Sequence, residues 1–262
     1  MSTTGGVRRL TDAMDPARAQ ALAATLGIGF DADAALPPFA HHIYFWEALP
    51  EAELGRDGHP ARGAFLPDLG LPRRMWAGGR LEFPAPLCAG RPAEKTSVIE
   101  AVERKQGRSG PLAFVTIRHE IRQQGRLCVA EWQNVVYRED PAPGAPAPVP
   151  PAAPEGAEET DVLRFSTTKL FRYSALTFNG HRIHYDLDYC REVEGYPGLI
   201  VHGPLLAQHL MLMAAARGAL RHFRYRATAP LFHFETATFA RAGAKLWVAG
   251  PDGRLCMEAE AG

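Results

Sequence analysis

The chain has 262 residues, 46% of them hydrophobic, which is enough for one large domain or two smaller ones with their own cores. Its 29 basic and 29 acidic residues cancel to a formal net charge of zero, which argues against a nucleic-acid partner. No run approaches the roughly 20 apolar residues of a membrane span, so no membrane partner is expected. The four cysteines contain no Cys-x-x-Cys pair, which favours a reducing cytoplasm and argues against disulfides.

The first predicted element is a helix near the N-terminus. Asp15 supplies an N-cap, Pro16 occupies the first helical position, and ARAQALAATLG then runs to a stop at Gly27. The apolar segment FAHHIYFWEAL, residues 39–49, is predicted to be a second helix. Residues 112–139 are rich in β-formers and predict two strands joined by a turn at Gln124-Gly125.

A proline- and alanine-rich stretch, PAPGAPAPVPPAAPEGAEE, separates the two halves of the chain. Such a composition favours extended polyproline geometry and offers no apolar face, so it is typical of a spacer. We therefore divide the chain into an N-terminal unit at 1–140, a linker at 141–160 and a C-terminal unit at 161–262.

The second half begins with the polar segment VLRFSTTKLFRYSAL, and FNGHRIHYD follows at 178–186. Residues 199–220 are then predicted to be a helix, and two strand runs follow at 229–243 and 244–262. The helix is predicted from one apolar stripe at helical spacing, formed by Leu206, Leu210, Met213 and Ala214.

Two short segments indicate an internal repeat. GRLCVAE at 125–131 and GRLCMEA at 253–259 each begin a strand after a turn, at equivalent places in the two halves. We therefore predict an α+β fold of two related units, each with a helix packed on an antiparallel sheet.

The polar cluster FNGHRIHYD has three interpretations: a metal site, a surface turn or an active site. His181 and His184 would share a face if the segment were helical, but it contains Gly180 and lacks an apolar stripe. A zinc site also needs three or four ligands in fixed geometry, so no metal is predicted. A polar turn whose histidines bind neighbouring backbone remains an alternative.

The segment LIVHG at 199–203 supports the active-site interpretation. A glycine that begins an apolar helix leaves backbone N–H groups unpaired at the positive end of the helix dipole. Such N–H groups bind a carbonyl or oxyanion, and Gly203 has no side chain to block a ligand. Pro204 has no N–H, so Gly203 and the residues after Pro204 must donate. A histidine beside this helix start can perform acid–base chemistry.

TFNGHRIHYD at 177–186 and LIVHG together resemble the hydratase motif of the MaoC-like hydratases and dehydratases. RMWAGGRLEFPAPLCAG, residues 74–90, resembles the first unit of double-hot-dog members, and the NGHRIHYD variant resembles the branch of mitochondrial-type hydroxyacyl-thioester dehydratases and mesaconyl-C4-CoA hydratases. The resemblance implies a double hot dog, in which each antiparallel sheet wraps round a central helix. It also implies that the first unit is degenerate.

The resemblance assigns catalysis to His184 and binding of the thioester carbonyl to Gly203. Asn179 stands where the family has a catalytic aspartate, and an amide cannot take a proton from water. His184 is then the main base and acid, while Asn179 orients the water. His181 is the alternative second titratable group.

The implied reaction is reversible hydration of an α,β-unsaturated acyl-CoA, with no cofactor besides the substrate's own CoA. A homodimer is compatible with this fold. Arg182 can bind a second carboxylate by a forked contact, which favours mesaconyl-C4-CoA or itaconyl-CoA giving citramalyl-CoA. A CoA phosphate or open water are alternatives for Arg182. The further predicted substrate contacts are His181, His202, Arg224, Arg226, Trp76 and Arg80.

Three other functions remain open at this point. A 3-hydroxyacyl-ACP or 3-hydroxyacyl-CoA dehydratase would use the same groups in reverse. A thioesterase usually needs a carboxylate that activates water, which Asn179 cannot supply. A non-catalytic subunit that binds acyl thioesters is compatible with the loss of the aspartate.

Overall fold

The computed structural model describes residues 6–61, 63, 65–107, 110–140 and 149–262. Ten strands of this part of the chain form one antiparallel sheet: β1 (Val7–Asp12), β2 (Arg73–Glu82), β3 (Ala93–Gly107), β4 (Gly110–Gln123), β5 (Arg126–Arg138), β6 (Glu159–Arg164), β7 (His222–Ala227), β8 (Thr236–Ala242), β9 (Lys245–Ala249) and β10 (Leu255–Ala261). The α-helices are α1 (Pro16–Leu26), α2 (Thr167–Thr177) and α3 (Gly203–Ala215). No helix of the described residues is long and apolar enough to cross a lipid bilayer.

The strand order makes the internal repeat visible. The order is β1-β3-β4-β5-β2-β7-β10-β9-β8-β6, so each half contributes five neighbouring strands. β2 and β7 pair at the centre, and β5 and β10 hold equivalent places on either side of that pair. The two GRLC segments lead into these strands, which begin at Arg126 and at Leu255. The structure confirms the repeat and the double hot dog, but the two predicted sheets are joined into one through the pairing of β2 with β7.

The helix predicted after Asp15 is confirmed. The Asp15 side chain accepts the Ala17 N–H at 2.9 Å, and Gly27 ends the helix by donating its N–H to the Ala23 carbonyl. The polar segment at the start of the second half contains α2, a helix that was not predicted. Its N-cap is Ser166, whose hydroxyl accepts the Lys169 N–H at 3.2 Å.

The helix predicted at 39–49 is wrong, because only a short 3₁₀ helix at Ala40–Ile43 forms there. Phe39 and Phe45 adopt positive φ angles of 71° and 60°, which no α-helix contains, and they bound the turn on both sides. Both side chains are nevertheless buried in the core. Their apolar spacing therefore reflects burial of an irregular segment.

The helix predicted at 199–220 is α3, which is shorter than predicted and is the central helix of the second unit. Leu206 and Leu210 lie in the core as expected. Burial extends beyond the predicted stripe, however, since Ala207 and Met211 are also fully enclosed. A helix that is apolar on nearly all sides is typical of a position inside a wrapped sheet.

The first unit has no such helix among its described residues. Between Ile43 and β2 the described residues form only one short 3₁₀ turn, at Glu51–Glu53. Leu69 and Leu71 cover the inner face of β3, β4 and β5 instead, where they pack on a separate apolar cluster. The predicted degeneracy of the first unit is therefore the loss of its central helix, and the prediction of a helix on the sheet in each unit is wrong for this unit.

Residues 141–148 of the predicted linker lie outside the described residues. The next part of the linker is held against the turn before β10. The Ala153 N–H donates to the Gly253 carbonyl and the Leu255 N–H donates to the Pro151 carbonyl, each at 2.8 Å. These bonds tie the end of the linker to the second unit.

Candidate active site

His184 lies at the end of a 3₁₀ turn, Arg182–His184, and is 6% exposed. The turn is tied to the strand-like segment before α3, because the Ile200 N–H donates to the Ile183 carbonyl at 2.9 Å. The Nδ1 atom of His184 lies 2.8 Å from the Ile200 carbonyl oxygen. A carbonyl only accepts, so Nδ1 carries the proton and the Nε2 atom of the neutral ring keeps its lone pair.

His202 stacks on His184, with ring centroids 3.7 Å apart and 19° between the planes. Burial lowers the pKa of His184 well below its usual value, and neighbouring His181 lowers it further. Burial also lowers the pKa of His202, to which His184 contributes. Both rings are therefore neutral at neutral pH, which is the form of His184 that can accept a proton.

The stacked pair stands at the N-terminus of α3. His202 is the N-cap residue, and its Nε2 atom lies 2.8 Å from the Ser174 hydroxyl of α2. Its carbonyl accepts the Leu206 N–H at 3.1 Å, so the Gly203 N–H precedes the hydrogen-bonded ladder of the helix. The predicted catalytic histidine and carbonyl-binding glycine are thus brought together at one helix start.

Trp76 of β2 brings the first unit into the same site. A Cβ atom on Gly203 would lie 2.8 and 3.0 Å from two ring carbons of Trp76. The absent side chain of Gly203, expected to admit a ligand, therefore also admits this indole. The Trp76 Nε1 atom is buried and has no hydrogen-bond partner in the described structure.

Replacing Gly203 by alanine is expected to lower kcat/KM for hydration by at least about tenfold, because the new methyl group displaces the Trp76 ring at the helix start. Overpacking of this kind also costs about 1–3 kcal/mol of unfolding free energy. Steady-state kinetics and urea unfolding measure the two effects. Gly218→Ala is the control, because a Cβ there meets nothing within 4 Å. Equal behaviour of the two variants would contradict the contact.

Asn179 has a structural role in the turn. Its side-chain oxygen accepts the His181 N–H at 3.0 Å, and its own N–H donates to the Ser174 carbonyl at 2.9 Å. The first bond closes an Asx turn that directs the chain towards His184. Orientation of a water molecule by Asn179 stays a prediction.

The guanidinium of Arg182 has protein partners. Its Nε and Nη2 atoms donate to one oxygen of Asp186 at 3.0 and 2.7 Å, and Nη1 donates to the Arg56 carbonyl at 3.3 Å. The group also lies 4.3 Å from the centroid of the Tyr189 ring. A substrate carboxylate at Arg182 would have to compete with Asp186.

The structure does not bring Arg80, Arg224 and Arg226 to the site. Simple alternation would place residues 76 and 80 on one face of β2, but a β-bulge between Trp76 and Gly78 changes the register. Arg80 therefore lies on the outer face, 3.5 Å above the ring centroid of Trp132. The other two arginines lie exposed on β7, and their partners at 2.8 Å are Glu260 for Arg224 and Glu258 for Arg226.

A second group of titratable residues, which sequence reasoning missed, lies beside His181. His59 Nδ1 lies 3.3 Å from Asp57 Oδ2, and the ring centroids of His59 and His181 are 4.4 Å apart. His181 in turn lies 5.5 Å from His184 between ring centroids. The signal in the sequence was the polar run GRDGHP at 55–60, which contains no large apolar residue.

Another polar cluster is buried in the first unit. Glu131 is fully buried and accepts hydrogen bonds from His41 at 2.9 Å and from His42 at 3.1 Å. Burial raises the pKa of Glu131, but the two histidines outweigh it and hold the pKa well below its usual value. Among the described residues, two groups place three potential metal ligands within 4.8 Å of one another: His41, His42 and Glu131, and Asp57, His59 and His181.

Comparison with known proteins gives the family. The sequence profile of hydroxyacyl-thioester dehydratase type 2 matches residues 39–233. The mesaconyl-C(4)-CoA hydratase of Chloroflexus aurantiacus is 44% identical over 271 aligned positions, which cover 99% of this chain and 96% of the relative. HtdX of Mycobacterium tuberculosis superposes with a TM-score of 0.69 at 20% identity, covering 97% of this chain and 99% of HtdX.

A second Mycobacterium tuberculosis protein, described as having a double hotdog fold, gives a TM-score of 0.58 at 15% identity over 99% of this chain and 96% of that protein. At such identities the two structures show the fold alone, and they agree with the arrangement of strands described above. The match of the family profile covers most of the chain, and the 44% identity extends over nearly all of it. The chain therefore belongs to the hydroxyacyl-thioester dehydratase type 2 family.

Proposed function

We propose that this protein is a hydratase that adds water reversibly to the double bond of an α,β-unsaturated acyl-CoA. The preferred substrate is a short dicarboxylic acyl-CoA of the mesaconyl-C4-CoA type. The observation that carries the proposal is the fixed tautomer of His184, whose Nδ1–H is bound to the Ile200 carbonyl. A neutral Nε2 atom is thereby held beside the first N–H of α3.

The geometry supports the following chemistry. A water molecule attacks the β-carbon while His184 Nε2 takes one of its protons. Negative charge then develops on the thioester oxygen, where the Gly203 N–H and the positive end of the α3 dipole stabilise it. A proton delivered to the α-carbon completes the addition. Dehydration of a 3-hydroxyacyl thioester is the same sequence in reverse.

Aromatic rings near Gly203 support a short acyl group. The Trp76 ring lies against Gly203, and the Tyr225 ring lies 4.9 Å from Trp76 between centroids. The ring centroid of Phe39 lies 6.1 Å from the centroids of both of these rings. This wall limits the room for a long chain. The name of the 44% identical relative also supports a dicarboxylic substrate.

Incubation of the purified protein with a panel of thioesters tests the proposal. The panel contains mesaconyl-C4-CoA, itaconyl-CoA, crotonyl-CoA and a long-chain enoyl-CoA, and mass spectrometry detects the added water. We expect hydration, with mesaconyl-C4-CoA preferred over crotonyl-CoA, and little hydration of itaconyl-CoA, whose double bond is not conjugated to the thioester. Release of free CoA would instead indicate a thioesterase. Absence of hydration with every thioester would exclude the hydratase and favour a binding role.

Replacing Arg182 by alanine tests the predicted carboxylate contact. If Arg182 leaves Asp186 to bind the substrate, kcat/KM for mesaconyl-C4-CoA should fall by at least about tenfold, while that for crotonyl-CoA changes little. Arg224→Ala is the matched control, because that residue has a similar ion pair on the outer face. Equal losses with both substrates would show that Arg182 serves only to hold Asp186.

A further inference from the structure

A loop of the first unit lies directly on the catalytic turn of the second. The Arg182 N–H donates to the Asp57 carbonyl at 3.0 Å. The backbones also touch, because a Cβ atom on Gly58 would lie 2.0 Å from the Gly180 carbonyl oxygen, and Gly58 has a φ of +82°. Only glycine combines that conformation with that approach. The loop is therefore fitted to the turn that contains His181 and His184.

Asp57 and His59 of this loop lie beside His181 of the catalytic turn, so a row of titratable side chains leads towards His184. Asp57 and His59 are joined at 3.3 Å, and His59 lies beside His181 at 4.4 Å between centroids. Asp57, His59 and His181 each place one polar atom within 4.8 Å of the others, a span that a single water molecule bridges. The His59 side chain is 28% exposed, so this end of the row reaches solvent.

Arg74 of β2 fixes the outer end of the row. Its Nε atom lies 3.5 Å from Asp57 Oδ2, and its Nη2 atom donates to the Pro60 carbonyl at 2.8 Å. Burial raises the pKa of Asp57, but the hydrogen bond and charge of His59 and the charge of Arg74 outweigh it, so Asp57 stays ionised. This carboxylate is the group that can stabilise a proton on His59.

Hydration at this site needs a second proton-transfer group besides His184. His184 has one nitrogen for proton transfer, since its Nδ1–H is held by the Ile200 carbonyl. The Asn179 amide cannot transfer protons, and its oxygen already accepts the His181 N–H. Burial and the charge of His59 lower the pKa of His181 to about 3. A neutral ring carries one N–H proton, so it can give that proton from one nitrogen while the other nitrogen accepts a replacement.

We propose that Asp57, His59 and His181 form the proton-donating arm of the active site, in which His181 is the second acid–base residue. Water gives its oxygen to the β-carbon and a proton to His184 Nε2. One nitrogen of His181 gives a proton to the α-carbon while the other takes a proton from His59. His59 regains a proton from solvent and His184 releases one to solvent, so one water is consumed and no net proton.

In this arrangement His59 relays protons, and Asp57 is a positioning residue. The degenerate unit thus supplies the function that position 179 lacks. The inference rests on the proposed hydratase function and specifies residues of the same site. Burial lowers the pKa of His59, and the charge of Arg74 lowers it further, while the hydrogen bond and charge of Asp57 raise it in part. His181 and His184 also face His59 and oppose its charged form. His59 is therefore neutral between turnovers, and Asp57 is the group that stabilises the proton it carries during transfer.

The test compares variants of the full-length protein in the hydration assay. His181→Ala should lower kcat by roughly 10²-fold or more, and added imidazole should restore part of the rate because it replaces the lost ring. His59→Gln should lower kcat by at least about tenfold.

Asp57→Asn should leave KM nearly unchanged and move the alkaline limb of the kcat profile to lower pH, because His59 loses the carboxylate that holds its proton. His222→Gln, at an exposed residue, is the control.

Each other outcome has a definite meaning. His181→Ala and His59→Gln rates within twofold of wild type, with His184→Gln inactive, would overturn the arm and leave the hydratase standing. A wild-type protein that hydrates no thioester of the panel would overturn the proposed function itself. Activity should survive a chelator. Loss of activity with the chelator and recovery with Zn²⁺ would replace the proton arm by a cation site at the same three residues.

Discussion

The His184→Gln variant is expected to retain its fold and to lose roughly 10³–10⁴-fold in kcat. Glutamine is close to histidine in size and polarity, so it fills the buried position that His184 occupies. An amide has no lone pair that accepts a proton at neutral pH, however, so the water cannot be activated. Hydration of mesaconyl-C4-CoA measures the loss, and urea unfolding checks the fold.

A second histidine provides the matched control. His209 lies two helical turns after His202 along α3, and its ring packs against Phe165 and Phe239. His209→Gln should leave kcat within about twofold of wild type, because the residue is not part of the site. If His184→Gln were nearly as active as this control, the assignment of the catalytic base would be wrong.

The second large effect is loss of stability in mild acid. Burial is the main cause that lowers the pKa of His41 and His209 from 6.5 to about 4, and of His119 and His181 to about 3. The unfolded chain binds protons on these residues near pH 6.5, whereas the folded chain does not, so acid favours unfolding. Their stabilising contribution is complete above about pH 6.5 and is lost as the pH falls towards 4.

The size of this effect can be estimated from one residue. His41 is 3% exposed, and at about 1.4 kcal/mol per pKa unit it alone contributes about 3 kcal/mol that is lost by pH 4. Urea unfolding between pH 7 and pH 4 should show a steep fall in the free energy of unfolding. His209→Leu should make the fall shallower, and His222→Gln should leave it unchanged. A flat profile would show that these histidines bind protons as readily in the folded protein as in the unfolded chain.

The elements that local sequence signals define could be predicted. α1 has a cap, a proline and a glycine stop in the right order, and the turn at Gln124-Gly125 has both residues at positive φ. The segment at 39–49 could not be predicted, because the positive φ angles of Phe39 and Phe45 arise from packing in the core. Arg80 was misplaced by a bulge that only the paired strands reveal.

The candidate site divides in the same way. His184, Gly203 and His202 lie close together in sequence and within one motif, so the sequence indicated their proximity. Asp57 and His181 are far apart in sequence, and the contact between them depends on how the two units pair. No local pattern encodes that contact. The polar run at 55–60 could be noticed in the sequence, but its position could not.

The pairing of β2 with β7 in the middle of the sheet has a consequence for separation of the two units. Each of these strands covers the other's backbone N–H and C=O groups from Gly78–Arg226 to Glu82–His222. Separation of the two units would leave both strands as open edges, and open edges recruit another strand. An isolated second unit would therefore tend to pair with a second copy of itself through β7. The covalent link between the units spares this protein that self-association, and it allows the first unit to specialise in supplying Trp76 and the loop at 55–60.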